Sequence, residues 1–218
     1  MKKVKIIKDI LMTIVFILLM CNQVTEAFAH EILGVSVFIL FIIHQILNIN
    51  FYKNIFKGKY NKLRVAFIII NILLLVMMII MIISSLMVSQ YLFRKLDIGS
   101  VSLGRMLHVL AGYSIYMLIG LHLGLHYNSL IKLKKENKII LNVFLILFAV
   151  IFGINGFIRK EFIQKITLQS LYPLYSDDSA IMFFIDYIGI FIMFMMIGYG
   201  ILNLLSLKKK QKTIRKKE

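Results

Sequence analysis

The sequence predicts an all-α, polytopic membrane helix bundle with about six transmembrane helices and both termini in the cytoplasm. Three observations predict it. Apolar residues fill 60% of the 218 positions, more than a water-soluble chain of this length carries. They gather into six runs, near 10–27, 32–51, 65–88, 103–128, 139–158 and 180–206, and about 20 such residues cross the hydrocarbon core of a bilayer. The charges lie between the runs and not along them, so few segments read as water-facing amphipathic helices. The whole chain, 1–218, reads as one membrane domain.

The first run follows Lys2, Lys3, Lys5 and Lys8 and leads to Ala27, Phe28 and Ala29. That pattern also fits a secretory signal with a cleavage site; the preferred reading is an uncleaved first helix with a very short outer turn. The second run leads into Lys53, Lys57, Lys59, Lys62 and Arg64, the fourth into Lys132, Lys134, Lys135 and Lys138, and the sixth into seven basic residues between positions 208 and 217. The alternate loops carry only Arg94, Lys95, Arg105, Arg159, Lys160 and Lys165, with most of the acids. This asymmetry is the positive-inside pattern, and it places both termini in the cytoplasm. It also accounts for the net charge of +16 as topology signals facing anionic lipid, which argues against nucleic acid as a partner. The one proline, Pro173, falls in the loop 159–179, where segment 168–175 is apolar enough to lie on the membrane surface as a connector. Cys21 stands alone, so no intramolecular disulfide is expected and no cysteine pair is present to attach a haem covalently.

Four of the five histidines fall into one repeated pattern. His30, Gly34 and His44 in the second run have the same spacing as His108, Gly112 and His122 in the fourth. Fourteen helical residues rise about 21 Å and return to within about 40° of the starting face. Each helix therefore carries two imidazoles on one stripe, one toward each side of the bilayer. The two helices run in the same direction when one span lies between them, so His30 shares a level with His108 and His44 with His122. Each level offers two imidazoles, which suits the two axial positions of a haem iron better than zinc or copper, whose sites need three or four converging ligands. Gly34 and Gly112 sit one turn inward of the outer histidines, where a missing Cβ lets a flat macrocycle approach the backbone.

His126 follows His122 by one turn and is open to three readings: an alternative inner ligand, a propionate partner, or a quinone contact. The repeat favours His122 as the ligand. Arg105 precedes His108 by three residues on the outer side and is a candidate partner for an outer propionate; Lys53 and Arg64 are the inner candidates. The Met and Phe stripes of the third and sixth runs read as lipid-facing or packing residues, and Asp186 reads as a residue within reach of the outer interface.

With these residues in view, the chain resembles the flavinylation-associated cytochromes, small multi-pass membrane di-haem b-type cytochromes. The resemblance rests on the paired histidine helices, on Glu31 and Gly34 after His30, on His44 with Asn48, and on the stretch from His108 through Gly112, Tyr113, Gly120, Leu121, His122 and His126. It covers about residues 5 to 130. It implies two non-covalent haem b groups held by His30, His44, His108 and His122. It also implies electron transfer across a cell membrane, bacterial by that likeness, to an extracytoplasmic flavoprotein or another redox partner. No glycine fingerprint for a nicotinamide or flavin module is present, so the donor is expected to be a separate protein or a membrane quinol. The expected activity is electron transfer as a cytochrome subunit, with no nucleophile or general base in view. The rival readings are a non-haem transporter, disfavoured by the lack of proline and mid-membrane charge in the spans, and an assembly subunit whose histidines only pack.

Overall fold

The computed structural model describes residues 2–96, 98–170 and 179–214; Pro173 and most of segment 168–175 lie outside them. Among the described residues all regular structure is helical. The elements are α1 (Lys2–Met20), α2 (Ala27–Leu47), a short α3 (Ile49–Asn54), α4 (Lys62–Val88), α5 (Val101–Leu125), a single turn α6 (Tyr127–Leu130), α7 (Lys135–Phe148), α8 (Ile154–Arg159), α9 (Phe162–Ile166) and α10 (Ala180–Ile214). A π-helical turn, Ala149–Gly153, joins α7 and α8 into one continuous rod.

Among the described residues, five helices are long and apolar enough to cross a membrane: α2, α4, α5, the α7–α8 rod and α10 as far as Ser206. The first expected span, 10–27, is not among them. Helix α1 occupies Lys2–Met20 and not 10–27, because Asn22, Gln23, Thr25 and Glu26 make the segment after Cys21 too polar to continue it. Lys5, Lys8 and Asp9 lie within it, so its charge keeps it out of the set of spans. The second run shifts as well. Helix α2 starts at Ala27, so His30 lies in its first turn, and it ends at Asn48, whose amide Nδ2 donates to the His44 carbonyl oxygen at 3.0 Å.

Helix α5 is the axis of the bundle. It packs along α4 on one side and α10 on the other, and α10 in turn carries the α7–α8 rod. Ser100 and Asn61 cap the starts of α5 and α4 with their side-chain oxygens, as short polar residues do at helix N-termini. The α5–α10 contact is backbone on backbone: a Cβ at Gly124 would stand 2.1 Å from the Met195 carbonyl oxygen, and one at Gly198 would stand 2.4 Å from that of Leu121. Small residues let membrane helices approach this closely.

Two apolar cores result. One joins Cys21, Tyr116, Phe162, Tyr187, Ile190 and Phe194, with the Tyr116 hydroxyl donating to the Tyr187 carbonyl at 2.6 Å. Ahead of segment 168–175, α9 inserts fully buried Phe162 into this core. The second core joins Val15 and Phe16 of α1, Val37 of α2, Met78 of α4 and Ala111 and Ile115 of α5. The expected stripes divide between two roles. On α4 the apolar residues Ile69, Ile72, Val76, Ile79 and Ile83 are exposed, a surface suited to hydrocarbon, whereas Phe183, Phe191 and Phe194 of α10 are core. Asp186 is also corrected. It is fully buried, paired with Arg159 and with Lys160 at 3.5 Å, and it ties α8 to the start of α10. A carboxylate buried this far from water is stable as an anion only with such partners.

Candidate functional site

The two histidine helices stand apart along their backbones. Helix α2 packs on α1, and α5 packs on α4 and α10. What reaches between α2 and α5 is side chain. At one end, His30 and His108 face each other with ring centroids 6.2 Å apart and planes inclined by 59°. Each helix contributes its imidazole for the reason read from the spacing: the histidine stripe is the side of the helix that a neighbour covers.

The same end is fixed by Glu31. Its carboxylate accepts four hydrogen bonds from the exit of α4, from the Ser89 hydroxyl at 2.9 Å and the backbone N–H groups of Gln90, Tyr91 and Leu92 at 2.6, 3.2 and 2.9 Å. A carboxylate in a nest of backbone N–H groups is a strong anchor, and it sets the first turn of α2 and with it His30. On the other side, the Ser85 hydroxyl lies 3.3 Å from His108 Nδ1. Glu31→Gln should weaken these charge-assisted bonds, lowering the melting temperature by several degrees, about 1–3 kcal/mol of stability. A scan of purified protein in detergent checks this, and an unchanged melting temperature would show that the anchor is idle.

At the basic end of the bundle the arrangement is richer. His44 Nδ1 lies 2.9 Å from Asp9 Oδ1 and 2.8 Å from Lys8 Nζ, both on α1. Lys5 of the same helix donates to the Leu47 carbonyl oxygen at 2.6 Å and so holds the end of α2. The His122 and His126 rings meet with centroids 4.8 Å apart and planes inclined by 55°, and His126 meets Phe67 of α4 at 4.8 Å and 54°. His126 therefore leans toward α4. It also lines a cavity of about 780 Å³ with Phe51, Ile55, Arg64, Phe67 and Asn71. Between the two levels, Leu33, Val37 and Phe41 of α2 and Ala111, Ile115 and Ile119 of α5 belong to one apolar cluster.

These residues fit the group that the sequence suggests. The Nδ1 atoms of His30 and His122 are shielded from solvent and have no hydrogen-bond partner among the described residues, so no described group holds either ring to one tautomer. Two imidazoles bound to one iron at about 2.0 Å each place their centroids about 6.3 Å apart, and the outer pair stands at 6.2 Å. A Cβ built on Gly34 meets no atom within 4 Å, and one on Gly112 meets only Met81 Cε, at 3.4 Å. Gly34 therefore leaves open space one turn inward of the facing pair, whereas the Gly112 position is covered by Met81. Among the described residues no three of His, Cys, Asp or Glu converge as a cluster that could hold a metal ion.

No family model, no curated protein and no solved structure matches the chain.

The remaining sequence candidates fall out as follows. Arg105 is exposed in α5, on the outer side of His108. Arg64 is engaged elsewhere: its guanidinium donates to the carbonyl oxygens of Asn54, Ile55 and Lys59 and stacks on Tyr60 at 4.7 Å, holding the α3–α4 loop. Lys53 is exposed on α3. The sequence pattern assigned no role to Ser85 or Asp9, and it assigned Glu31 and Lys8 roles other than these contacts. The available signal was Asp9, an acid at the head of an apolar helix, since ionisable groups at such depth usually have a partner.

Proposed function

We propose that this protein is a transmembrane electron carrier that holds two b-type haems by paired imidazoles. The observation that carries the reading is the outer pair, His30 and His108, at 6.2 Å with open space at Gly34 beside it. At the inner level His44 and His122 take the ligand roles. His122 is preferred over His126 because its spacing from His108 repeats that of His44 from His30, whereas the His126 ring lies against Phe67 and the cavity.

Bound between two imidazoles, haem iron passes single electrons and keeps no open coordination position for oxygen. The chain's contribution is placement. Four histidines fix two depths about 21 Å apart along α2 and α5, and the apolar cluster with Val37, Phe41 and Ile115 lies between them. Arg105 stands where an anionic propionate at the outer edge would meet a cation. The basic end faces the cytoplasm of a bacterial cell membrane in this reading, in line with the lysine asymmetry. Electrons enter there from a protein or a membrane quinol, whose aromatic head the cavity beside His126 and Phe67 would suit. They leave at the His30 level to an extracytoplasmic flavoprotein or similar acceptor.

Purified protein is expected to show a Soret band, a reducible α-band and about two haems per chain, with His44→Leu losing about half. Colourless protein, in cells supplied with haem, would sink the proposal. Unchanged haem in His44→Leu would remove His44 from the ligand set.

A further inference from the structure

The two levels differ in what touches the ligand nitrogen that does not face the partner helix, and this difference has a consequence. At the outer level His108 Nδ1 meets only a neutral hydroxyl, that of Ser85, at 3.3 Å, and His30 Nδ1 has no hydrogen-bond partner. At the inner level His44 Nδ1 meets a carboxylate, Asp9, at 2.9 Å. We propose that Asp9 is the positioning residue of the inner ligand: by accepting the Nδ1–H of His44 it fixes the tautomer that leaves Nε2 for iron and makes the inner centre the lower-potential one of the two. This rests on the bis-imidazole reading above and goes beyond it.

The chemistry runs as follows. An imidazole can ligate through Nε2 only if its proton is on Nδ1. The two neighbours of His44 Nδ1 make opposite demands, because Asp9 accepts a proton and Lys8, at 2.8 Å, can only donate one. Ligation therefore selects the Asp9 arrangement. Lys8 keeps its contact with Asp9 Oδ1 at 2.9 Å, and being buried at 6% exposure it holds the carboxylate in place. A carboxylate behind a ligating histidine makes the ring a stronger donor. It also sets a carboxylate oxygen beside a centre whose oxidised state carries one more positive charge, with the Lys8 ammonium, 2.8 Å from the same Nδ1, offsetting part of it. Both effects favour the ferric state at the inner level over the outer level, where no charge touches either Nδ1. The one-electron step from inner to outer centre is then downhill. Helix α1 is the source of this asymmetry, which gives a function to the pairing of buried Lys8 with half-exposed Asp9.

The test is potentiometric titration of the holoprotein, followed at the α-band, with the haem-to-chain ratio measured alongside. In a His30→Leu chain, which retains only the inner centre, adding Asp9→Asn should raise the single midpoint by about 59 mV, a tenfold change in the oxidised-to-reduced ratio at fixed poise. Asp9→Glu should restore most of it. With all four histidines present, Asp9→Asn should move the lower midpoint alone. If Asp9→Asn leaves the inner midpoint in place, or shifts both centres equally, the inference is wrong. If that variant does not yield folded protein, Lys8→Met decides: removing the cation should lower the inner midpoint, and no change overturns the inference. The failure of the underlying reading is distinct, since unsubstituted protein would then bind no haem.

Discussion

Gly34→Leu should cut the haem content from about two per chain to about one while leaving the fold intact. The expectation comes from what surrounds that glycine. A Cβ there meets no atom within 4 Å, so a larger side chain starts into open space and not into a packed neighbour. On a reading in which the histidines only pack, an added leucine buries apolar area or faces lipid, and the protein is unchanged or slightly more stable. On the di-haem reading the same leucine fills the place a macrocycle needs beside the His30–His108 pair, and the outer centre is lost. The measurements are the pyridine haemochrome ratio and the melting temperature of the same sample. A loss of haem with no loss of melting temperature supports the site. A retained ratio of two would show that the space at Gly34 is not where a cofactor lies. Gly200→Leu is the internal control, because Gly200 is equally open but lies on α10, away from the histidine stripe, and both haems should stay.

The histidine pattern was legible because it depends only on helical period. The interval from His30 to His44, repeated from His108 to His122, forces two imidazoles onto one face whatever the helix packs against. That the outer two would face each other also follows, once two parallel helices are granted. What period cannot reveal is the identity of the helix behind each ligand. Asp9 meets His44 from α1, and Glu31 anchors to the exit of α4; both contacts cross between helices whose order around the bundle is a tertiary property. Helix ends were misjudged for a related reason. Hydropathy marks where a chain is apolar, whereas α1 and α2 are divided at Cys21–Glu26 by polar residues that a hydropathy window averages away. Asp186 was read as interfacial because its depth was visible and its partners, Arg159 and Lys160, were not. The corrected elements leave the four-histidine stripe intact, since it lies within α2 and α5 as they stand.

The largest loss of all is expected from Gly124→Leu, and the contrast with Gly34 separates site from scaffold. A Cβ at Gly124 would stand 2.1 Å from the Met195 carbonyl oxygen, 2.7 Å from the Tyr199 nitrogen and 2.8 Å from the Gly198 Cα. All three are backbone atoms of α10, so no rotamer change relieves the clash. The helices must separate, which forfeits the close α5–α10 packing at Gly120, Gly124 and Gly198. Overpacking a close-packed interior costs about 1–3 kcal/mol when side chains can yield, and a backbone clash costs more, against a total stability of about 5–15 kcal/mol. The expected result is little or no folded protein in detergent, read by size-exclusion elution and by limited proteolysis. Any folded fraction should have lost haem at both levels together, because α5 carries both His108 and His122 and a shift of that helix moves both ligands away from α2. Loss of one centre alone in Gly124→Leu would mean that the two levels are not held by a single rigid α5, and the common stripe on which both haems depend would have to be abandoned.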